Sequence, residues 1–254
     1  MFKAKNLLVC LVLSFNLFAQ DKIVGGVEVD SISEAPFIVK FKGGCAGSII
    51  SEKWILTAAH CKSIFERGIS AGSLDADSKD LMLDVDTYFT HPEFSSWTLS
   101  NDFALIKLKT PIDLNGLNLK AIKLADAEHD SDGFQAPGET ATIYGWGRTS
   151  EGGGLSRYLR KVEVPIVSNE TANHEDSYAG KVTDAMIAAG VPEGGLDACQ
   201  GDSGGPMVTY GAQGEQVLVG IVSWGRGCAR ALKYGIYSRV SFGLSWVKET
   251  IKNN

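Results

Sequence analysis

The hydrophobic residues of this chain fall into short runs separated by polar and glycine-rich turns. Each run is rich in Val, Ile, Tyr, Phe or Trp, which favour β-strands. The runs cover residues 37–42, 48–50, 54–58, 103–108, 140–145, 161–167, 206–209, 216–224 and 235–240. There is no alternation of strands with helices and no repeat of fixed period. This pattern predicts an all-β protein of antiparallel sandwiches or barrels.

The end of the chain has a different period. Leu244, Val247 and Ile251 recur at helical spacing, with Lys248 and Glu249 on the other side, so residues 242–252 predict a helix docked on the body. The segment is too short and too charged to span a membrane. Around residues 125–135 the chain turns polar, and we interpret that stretch as a linker between two halves.

The first residues have the order of a secretory signal. Lys3 and Lys5 precede an apolar run at 7–18, and Ala19 offers a small residue for cleavage. We therefore expect a signal peptide at 1–19 and a secreted, extracellular protein, or a periplasmic one if the host is bacterial. The alternative is an uncleaved signal that tethers the protein to a membrane.

Composition and charge narrow the class of protein. Of the 254 residues, 44% are hydrophobic and 21% are charged, which argues against disorder. The net charge is −6, and loss of Lys3 and Lys5 with the signal would remove two positive charges and leave −8. An acidic chain without a basic run argues against a nucleic-acid partner.

Cysteine usage fits a secreted protein. Loss of the signal would remove Cys10 and leave an even number, Cys45, Cys61, Cys199 and Cys228. Four cysteines allow three pairings, of which the sequence-local one (45–61 and 199–228) closes loops of moderate size. Each such bridge would stabilise the fold by roughly 3–4 kcal/mol. The alternative is a zinc site, but no two of these cysteines have C-x-x-C spacing, so we expect no metal.

Three strings carry candidate chemistry: TAAHC at 57–61, NDFALI at 101–106 and CQGDSGGP at 199–206. A serine hydroxyl such as that of Ser203 is a weak nucleophile and needs a base within hydrogen-bond reach. The surrounding glycines would let the N–H groups of Gly201 and Ser203 converge on a developing oxyanion. Taken alone, the string is also compatible with a plain glycine-rich turn.

His60 and Asp102 complete a chemically sensible set. His60 follows an apolar strand and adjoins Cys61, where a disulfide could hold it, and imidazole can accept and return a proton near neutral pH. Asp102 opens the apolar run FALIKL, so its carboxylate is expected to be buried and to need a partner such as a histidine N–H. Without the other two residues, Asp102 would be interpreted as a strand cap.

Together with IVGG at Ile23, GWG at Trp146 and SWG at Ser223, these strings resemble the trypsin branch of the chymotrypsin-like serine proteases. The resemblance runs in order from residue 23 to about 240 and implies two antiparallel six-stranded β-barrels packed together, with a C-terminal helix. It implies a protease domain at 23–254, with barrel 1 at about 23–130 and barrel 2 at about 131–240.

The resemblance also implies a role for each matching residue. His60 would be the general base, Asp102 its orienter and Ser203 the nucleophile that forms an acyl-enzyme, with Gly201 and Ser203 as the oxyanion hole. Asp197 would lie at the base of the primary pocket and select Arg or Lys. Ser223, Trp224 and Gly225 would form the strand that pairs with the substrate backbone. Gly225 and Gly235 would be the small walls of the pocket, and Leu99 and Trp224 would wall the next subsites.

Several positions depart from the family pattern. Two family disulfides are replaced, one by Ala172 and Ala188 and the other by Val29 and Lys161. The acidic stretch 71–84 does not support the family calcium site, so no cofactor is expected. Tyr234 stands where tyrosine accompanies a sodium site in relatives, which leaves sodium as an alternative. Asn169 begins a glycosylation sequon, NET, which has meaning only in a eukaryotic host.

The stretch DKIVGG at 21–26 is interpreted as an activation site. Cleavage after Lys22 would free the amino group of Ile23, which the resemblance pairs with Asp202, and the pro-segment would be 20–22. The activator would be another protease or the enzyme itself. We expect a monomer that acts on polypeptides with Arg or Lys before the scissile bond and is open to protein inhibitors. The rival hypothesis is a non-catalytic homologue that only binds a partner.

Overall fold

The computed structural model describes residues 23–115, 118–126 and 132–254. The predicted signal at 1–19, the segment 20–22 with Lys22, and part of the predicted linker lie outside the described residues. Within the described ranges, no helix has the length and apolar character needed to cross a bilayer.

The strands are short and are numbered in chain order. The first half of the chain contains β1 (Val27–Glu28), β2 (Ile38–Phe41), β3 (Cys45–Ser51), β4 (Trp54–Thr57), β5 (Ile69–Ala71), β6 (Met82–Leu83), β7 (Val85–Thr90), β8 (Ala104–Leu108) and β9 (Lys123–Leu124). The second half contains β10 (Thr140–Gly145), β11 (Arg160–Val167), β12 (Met186–Ala189), β13 (Pro206–Tyr210), β14 (Gln216–Trp224) and β15 (Gly235–Arg239).

The first sheet has the order β6-β5-β2-β3-β4-β8-β7, and all its pairings are antiparallel. It curls into a nearly closed barrel around fully buried side chains such as Phe41, Ile55 and Leu105. The sheet has seven strands where the resemblance implied six, because Asp84 separates β6 from β7. The charged residue ends one short strand and the next begins immediately after it.

The second sheet closes on itself. Its ring of six strands is β10-β13-β14-β15-β12-β11, and it closes because β11 pairs with both β10 and β12. Two strands from the first half of the chain are added to this ring. β1 pairs antiparallel with β11, and β9 pairs parallel with β14. The predicted all-β fold of two barrel-like sheets is confirmed, with this one parallel pair as an exception.

Helices occupy the connections and the end of the chain. Two 3₁₀ helices lie at Ile32–Glu34 and Ala59–Arg67, and a short α1 lies at Asn169–Ala172. The predicted C-terminal helix is confirmed as α2, Val240–Asn253. It packs closely on Phe103, just before β8, because a Cβ on Gly243 would stand 2.7 Å from that ring, and it also contacts β14 and β9 of the second sheet.

The two barrels share one apolar core and meet at the chain segments that carry the candidate chemistry. Phe37 of the first barrel packs edge-on against Tyr144 of the second, with ring centroids 6.2 Å apart. The N–H of Ala46 donates to the carbonyl of Ser203 at 2.8 Å, so the serine loop is fastened to β3. The fold thereby places residues from distant parts of the sequence at one interface.

Candidate active site

The Ser203 loop is a tight turn between a disulfide and β13. The N–H of Asp202 donates to the carbonyl of Cys199 at 3.0 Å, and the N–H of Gly205 donates to the carbonyl of Asp202 at 2.8 Å. A Cβ on Gly204 would stand 2.2 Å from Thr57 Oγ1. Only glycine therefore allows the loop to approach the end of β4, just before the helix that carries His60.

Gly201 has a backbone conformation that residues with a side chain resist. Its φ is +103°, in the region that favours glycine. A Cβ there would stand 2.6 Å from Leu155 Cδ2 and 3.0 Å from the Cα of Gly147. The backbone N–H of Gly201 can keep its orientation only without a side chain.

His60 and Asp102 form the predicted pair. The carboxylate of Asp102 is fully buried and lies just before β8. Its Oδ2 is 2.7 Å from His60 Nδ1, and its Oδ1 accepts the backbone N–H of His60 at 2.9 Å. These two contacts fix the imidazole ring, and Nδ1 carries the proton when it donates to the carboxylate. The other ring nitrogen, Nε2, then remains an acceptor.

Ser223 contributes a contact that sequence reasoning missed. Its hydroxyl donates to Asp102 Oδ2 at 2.6 Å, which gives the buried carboxylate a third donor. The predicted role of Ser223 rested on its backbone alone. The sequence does contain a clue to this contact, because Ser223 directly follows the apolar run VLVGIV in β14. A polar group buried at such a position needs a hydrogen-bond partner.

A cavity of about 200 Å³ opens beside Ser203. Five of the predicted substrate-contact residues line it: Asp197, Ser223, Trp224, Gly225 and Gly235. Leu99 does not. It lies on the loop before Asp102, with φ +55° and its N–H donating to the carbonyl of Ser95 at 2.7 Å.

Small walls leave this cavity open to a long side chain. A Cβ on Gly235 would stand 2.8 Å from Asp197 Oδ1, so a side chain there would cover the acid. A Cβ on Gly225 would have its nearest neighbours at 3.6–3.8 Å and would project into the cavity. Tyr178, a residue that the sequence did not single out, supports the wall by donating its hydroxyl to the carbonyl of Tyr234 at 2.6 Å.

Asp197 is a buried acid without a cationic partner among the described residues. It is 5% exposed, and its Oδ2 accepts the N–H of Ala229 at 2.9 Å. Burial raises the pKa of Asp197 from 3.8 to about 7, against the lowering effect of the hydrogen bonds from Ala229 and Ala198. Its carboxylate therefore favours a cation that enters the cavity from outside.

Asp202 is a second buried acid, and it lies directly beside the candidate nucleophile. It is fully buried and accepts the N–H groups of Gly147 at 2.6 Å and Cys199 at 2.9 Å. Burial raises its pKa to about 6, while these N–H groups and the charge of Lys40 lower it. Lys40 was not identified from the sequence as a residue that acts on Asp202. Its Nζ is buried 5.6 Å from the ring of Trp146 and has no hydrogen-bond partner in the part of the chain that the structure describes.

The segment after the predicted cleavage point folds onto the second barrel. Ile23 is fully buried, and the carbonyl of Val24 accepts the N–H of Asp197 at 3.1 Å. The start of the predicted mature chain is thus hydrogen-bonded to a residue that lines the cavity.

Both predicted disulfides are present. Cys45 is bonded to Cys61, next to His60, and Cys199 is bonded to Cys228 at the edge of the cavity. Because their sulfurs are joined, Cys45 and Cys61 offer no thiolate to a metal, although they lie beside the His60 ring. Such bridges are typical of oxidising compartments and support an extracellular location.

Other contacts replace the missing family bridges. Ala172 and Ala188 are fully buried in an apolar cluster with Tyr178 and Tyr234. Lys161 forms an ion pair with Glu34, which lowers the pKa of that glutamate. In the acidic stretch 71–84, Asp75 accepts three hydrogen bonds from Arg157, at 2.9, 3.2 and 3.3 Å.

Comparison with known proteins agrees with this geometry. The family model described as Trypsin matches residues 23–247. Anionic trypsin of Canis lupus familiaris is 40% identical over 240 residues, which are 92% of this chain and 91% of that protein. Anionic trypsin of Bos taurus is 39% identical with the same coverage, and Serine protease 1 of Rattus norvegicus is 38% identical over 97% of each chain. The chain therefore belongs to the trypsin family and is a serine endopeptidase.

Proposed function

We propose that the mature protein hydrolyses polypeptides after Arg or Lys. The observation that carries this proposal is the buried carboxylate of Asp197 at the base of a 200 Å³ cavity that begins at Ser203. A guanidinium or ammonium group that enters the cavity would supply the missing counter-charge. Neutral side chains would leave the carboxylate uncompensated, so they would bind less well.

The proposed chemistry starts from the ring nitrogen of His60 that Asp102 leaves unoccupied. Its Nε2 accepts the proton of the Ser203 hydroxyl as the oxygen attacks the substrate carbonyl carbon. The N–H groups of Gly201 and Ser203 hold the resulting oxyanion. His60 then returns the proton to the leaving amine, and water repeats the sequence on the acyl-enzyme. Asp102 keeps the ring in place throughout and stabilises the imidazolium.

We infer that cleavage after Lys22 switches this site on. The released ammonium of Ile23 would pair with Asp202, which is buried and, among the described residues, accepts hydrogen bonds from neutral N–H groups. Asp202 lies one residue from Gly201, and Val24 is bonded to the backbone of Asp197. Pairing of the Ile23 ammonium with Asp202 would therefore stabilise the oxyanion hole and the pocket together. Removal of a signal at 1–19 would leave a pro-segment of three residues, 20–22. We further propose that the protein is secreted and acts as a monomer.

The proposed activity has a direct test. The processed enzyme should hydrolyse Arg and Lys peptide amides, with little activity on matched Phe amides. Ser203→Ala should lower kcat/KM by roughly 10⁴-fold or more with unchanged fold. An exposed serine on the C-terminal helix, Ser245→Ala, serves as the control. A processed wild-type protein without amide hydrolysis at neutral pH would instead favour the non-catalytic homologue.

Activation has a separate test. Lys22→Gln should give a secreted, folded protein that stays inactive, whereas N-terminal sequencing of active wild-type protein should begin at Ile23. Incubating the Ser203→Ala variant alone and with active enzyme would show whether the enzyme cleaves itself. Full activity of Lys22→Gln would refute the switch without affecting the proposed cleavage specificity.

A further inference from the structure

A second and larger cavity adjoins the Ser203 loop. It is a groove of about 590 Å³, and we call it the basic cleft. Two of its lining residues touch the oxyanion glycine: Leu155, whose Cδ2 lies 2.6 Å from the place of a Cβ on Gly201, and Gly44, whose own Cβ would lie 4.0 Å from the Cα of Gly201. The basic cleft and the Asp197 cavity have no lining residue in common. The loop that carries the nucleophile adjoins both, because Gln200 and Ser203 line the Asp197 cavity and Gly201 contacts the lining of the basic cleft.

This arrangement assigns the two cavities to different parts of a substrate. The side chain before the scissile bond would fill the Asp197 cavity, with its carbonyl at Ser203 and its oxyanion at Gly201. The chain after the scissile bond leads away from that cavity, past Gly201. The basic cleft begins there, so residues on the leaving-group side would enter it.

The charge of the basic cleft contrasts with that of the whole protein. The chain carries −6, yet five cations line the cleft against one carboxylate, Asp77. Arg157 is paired with Asp75. Lys42, Arg67 and Lys79 are exposed, and within residues 23–115, 118–126 and 132–254 no carboxylate oxygen lies within 4 Å of them. Their charge is free to act on a ligand.

The floor of the cleft is apolar. Phe41 and Trp146 are buried beneath it, and Met82 and Leu155 are 48% and 57% exposed along its sides. An extended peptide could therefore pack its backbone and aliphatic groups on this floor while acidic side chains reach the cationic rim. Opposite charges in a concave surface also raise the local concentration of an acidic ligand.

We propose that the basic cleft binds the substrate residues after the scissile bond and selects Asp or Glu there. This inference rests on the proposed cleavage after Arg or Lys and adds a second determinant of substrate class. The preferred substrate is a polypeptide with a basic residue before the scissile bond and acidic residues at the second and third positions after it.

The experiment compares internally quenched peptides with one Arg that is followed by Ala-Glu-Glu or by Ala-Gln-Gln. Each exposed ion pair is worth about two- to fivefold, so kcat/KM should be about tenfold higher for the Glu peptide and this ratio should fall in 0.5 M salt. The double variant Lys42→Gln/Arg67→Gln should reduce the ratio to near one. Lys248→Gln, an exposed lysine on α2, should leave it unchanged.

An Arg anilide without residues after the scissile bond separates this inference from the proposed function. Wild type and the double variant should hydrolyse it equally. No hydrolysis by the processed wild type would overturn the proposed function itself. Normal hydrolysis of the anilide with equal rates on the two peptides would overturn only the assignment of the cleft. A cleft that binds heparin but does not distinguish Glu from Gln peptides would be a polyanion site, and the proposal would be wrong.

Discussion

Replacing Asp197 by Asn tests the pocket through two opposite effects, a loss of cleavage and a gain of stability. Asn keeps the shape and an acceptor for the N–H of Ala229, which lies 2.9 Å from Oδ2, but it removes the charge. No cation among the described residues pairs with the buried carboxylate of the free enzyme, whereas a bound Arg or Lys would provide one. The substitution should therefore help the free protein and harm its complex with substrate.

The size of the stability effect follows from the pKa of Asp197. Burial raises that pKa from 3.8 in the unfolded chain to about 7 in the folded one, which corresponds to about 4 kcal/mol. Because the folded pKa is the higher one, this stabilisation by the bound proton is complete below pH 3.8. It is lost as the pH rises through 7. The Asn variant should be more stable than wild type at pH 8, by up to about 4 kcal/mol, and the difference should shrink toward pH 4.

Urea unfolding at pH 5, 6, 7 and 8 measures this difference. Both proteins would carry Ser203→Ala to prevent self-digestion, and Asp184→Asn, at an exposed aspartate, is the matched control. In active protein, the Asn variant should lose about 10²–10⁴ in kcat/KM on an Arg amide, since removing one partner of a buried ion pair costs about 3–5 kcal/mol. Identical pH dependence of unfolding in wild type and variant would refute the electrostatic argument, even if cleavage were lost.

Three further substitutions test other contacts. Ser223→Ala removes a hydroxyl that donates to the buried Asp102 carboxylate at 2.6 Å, so the free energy of unfolding in urea should fall by about 1–3 kcal/mol. Because both donors of His60 to Asp102 remain, kcat/KM should fall less than tenfold. Gly201→Ala forces a side chain onto a residue with φ +103°, so kcat/KM on an Arg amide should fall by about 10² or more with a loss of about 1–3 kcal/mol in urea unfolding. Paired Cys45→Ala and Cys61→Ala changes should cost roughly 3 kcal/mol of unfolding free energy in a thermal melt, because they open a loop of 16 residues.

Local patterns predicted the parts of the fold that depend on nearest neighbours. The short apolar runs became strands, and the helical spacing near the end became α2. The glycines around Ser203 supply the backbone freedom that the string predicted, since Gly201 and Gly204 have φ values of +103° and +75°. These features depend on backbone freedom and on the spacing of apolar residues, and both can be recognised from a few consecutive residues.

Features that depend on contacts between residues far apart in the sequence could not be predicted. The hydroxyl of Ser223 meets Asp102 across 121 residues of sequence, and nothing local identifies its partner. β9 joins the second barrel in parallel although its residues belong to the first half of the chain. The free cations of the basic cleft likewise come from three separate segments, at Lys42, Arg67 and Lys79. In a chain with net negative charge, only the tertiary fold brings them to one surface.

The two buried acids connect activation to substrate binding. Asp197 and Asp202 each have a raised pKa because of burial, and the charge of Asp202 further raises the pKa of Asp197. A cation beside either carboxylate therefore makes the other easier to ionise. The backbone N–H of Asp197 also donates to the carbonyl of Val24, which joins the pocket directly to the start of the predicted mature chain. Since coupling between two binding events is reciprocal, insertion of the Ile23 ammonium should tighten the pocket for Arg, and an Arg side chain in the pocket should favour insertion of Ile23 to the same extent in free energy.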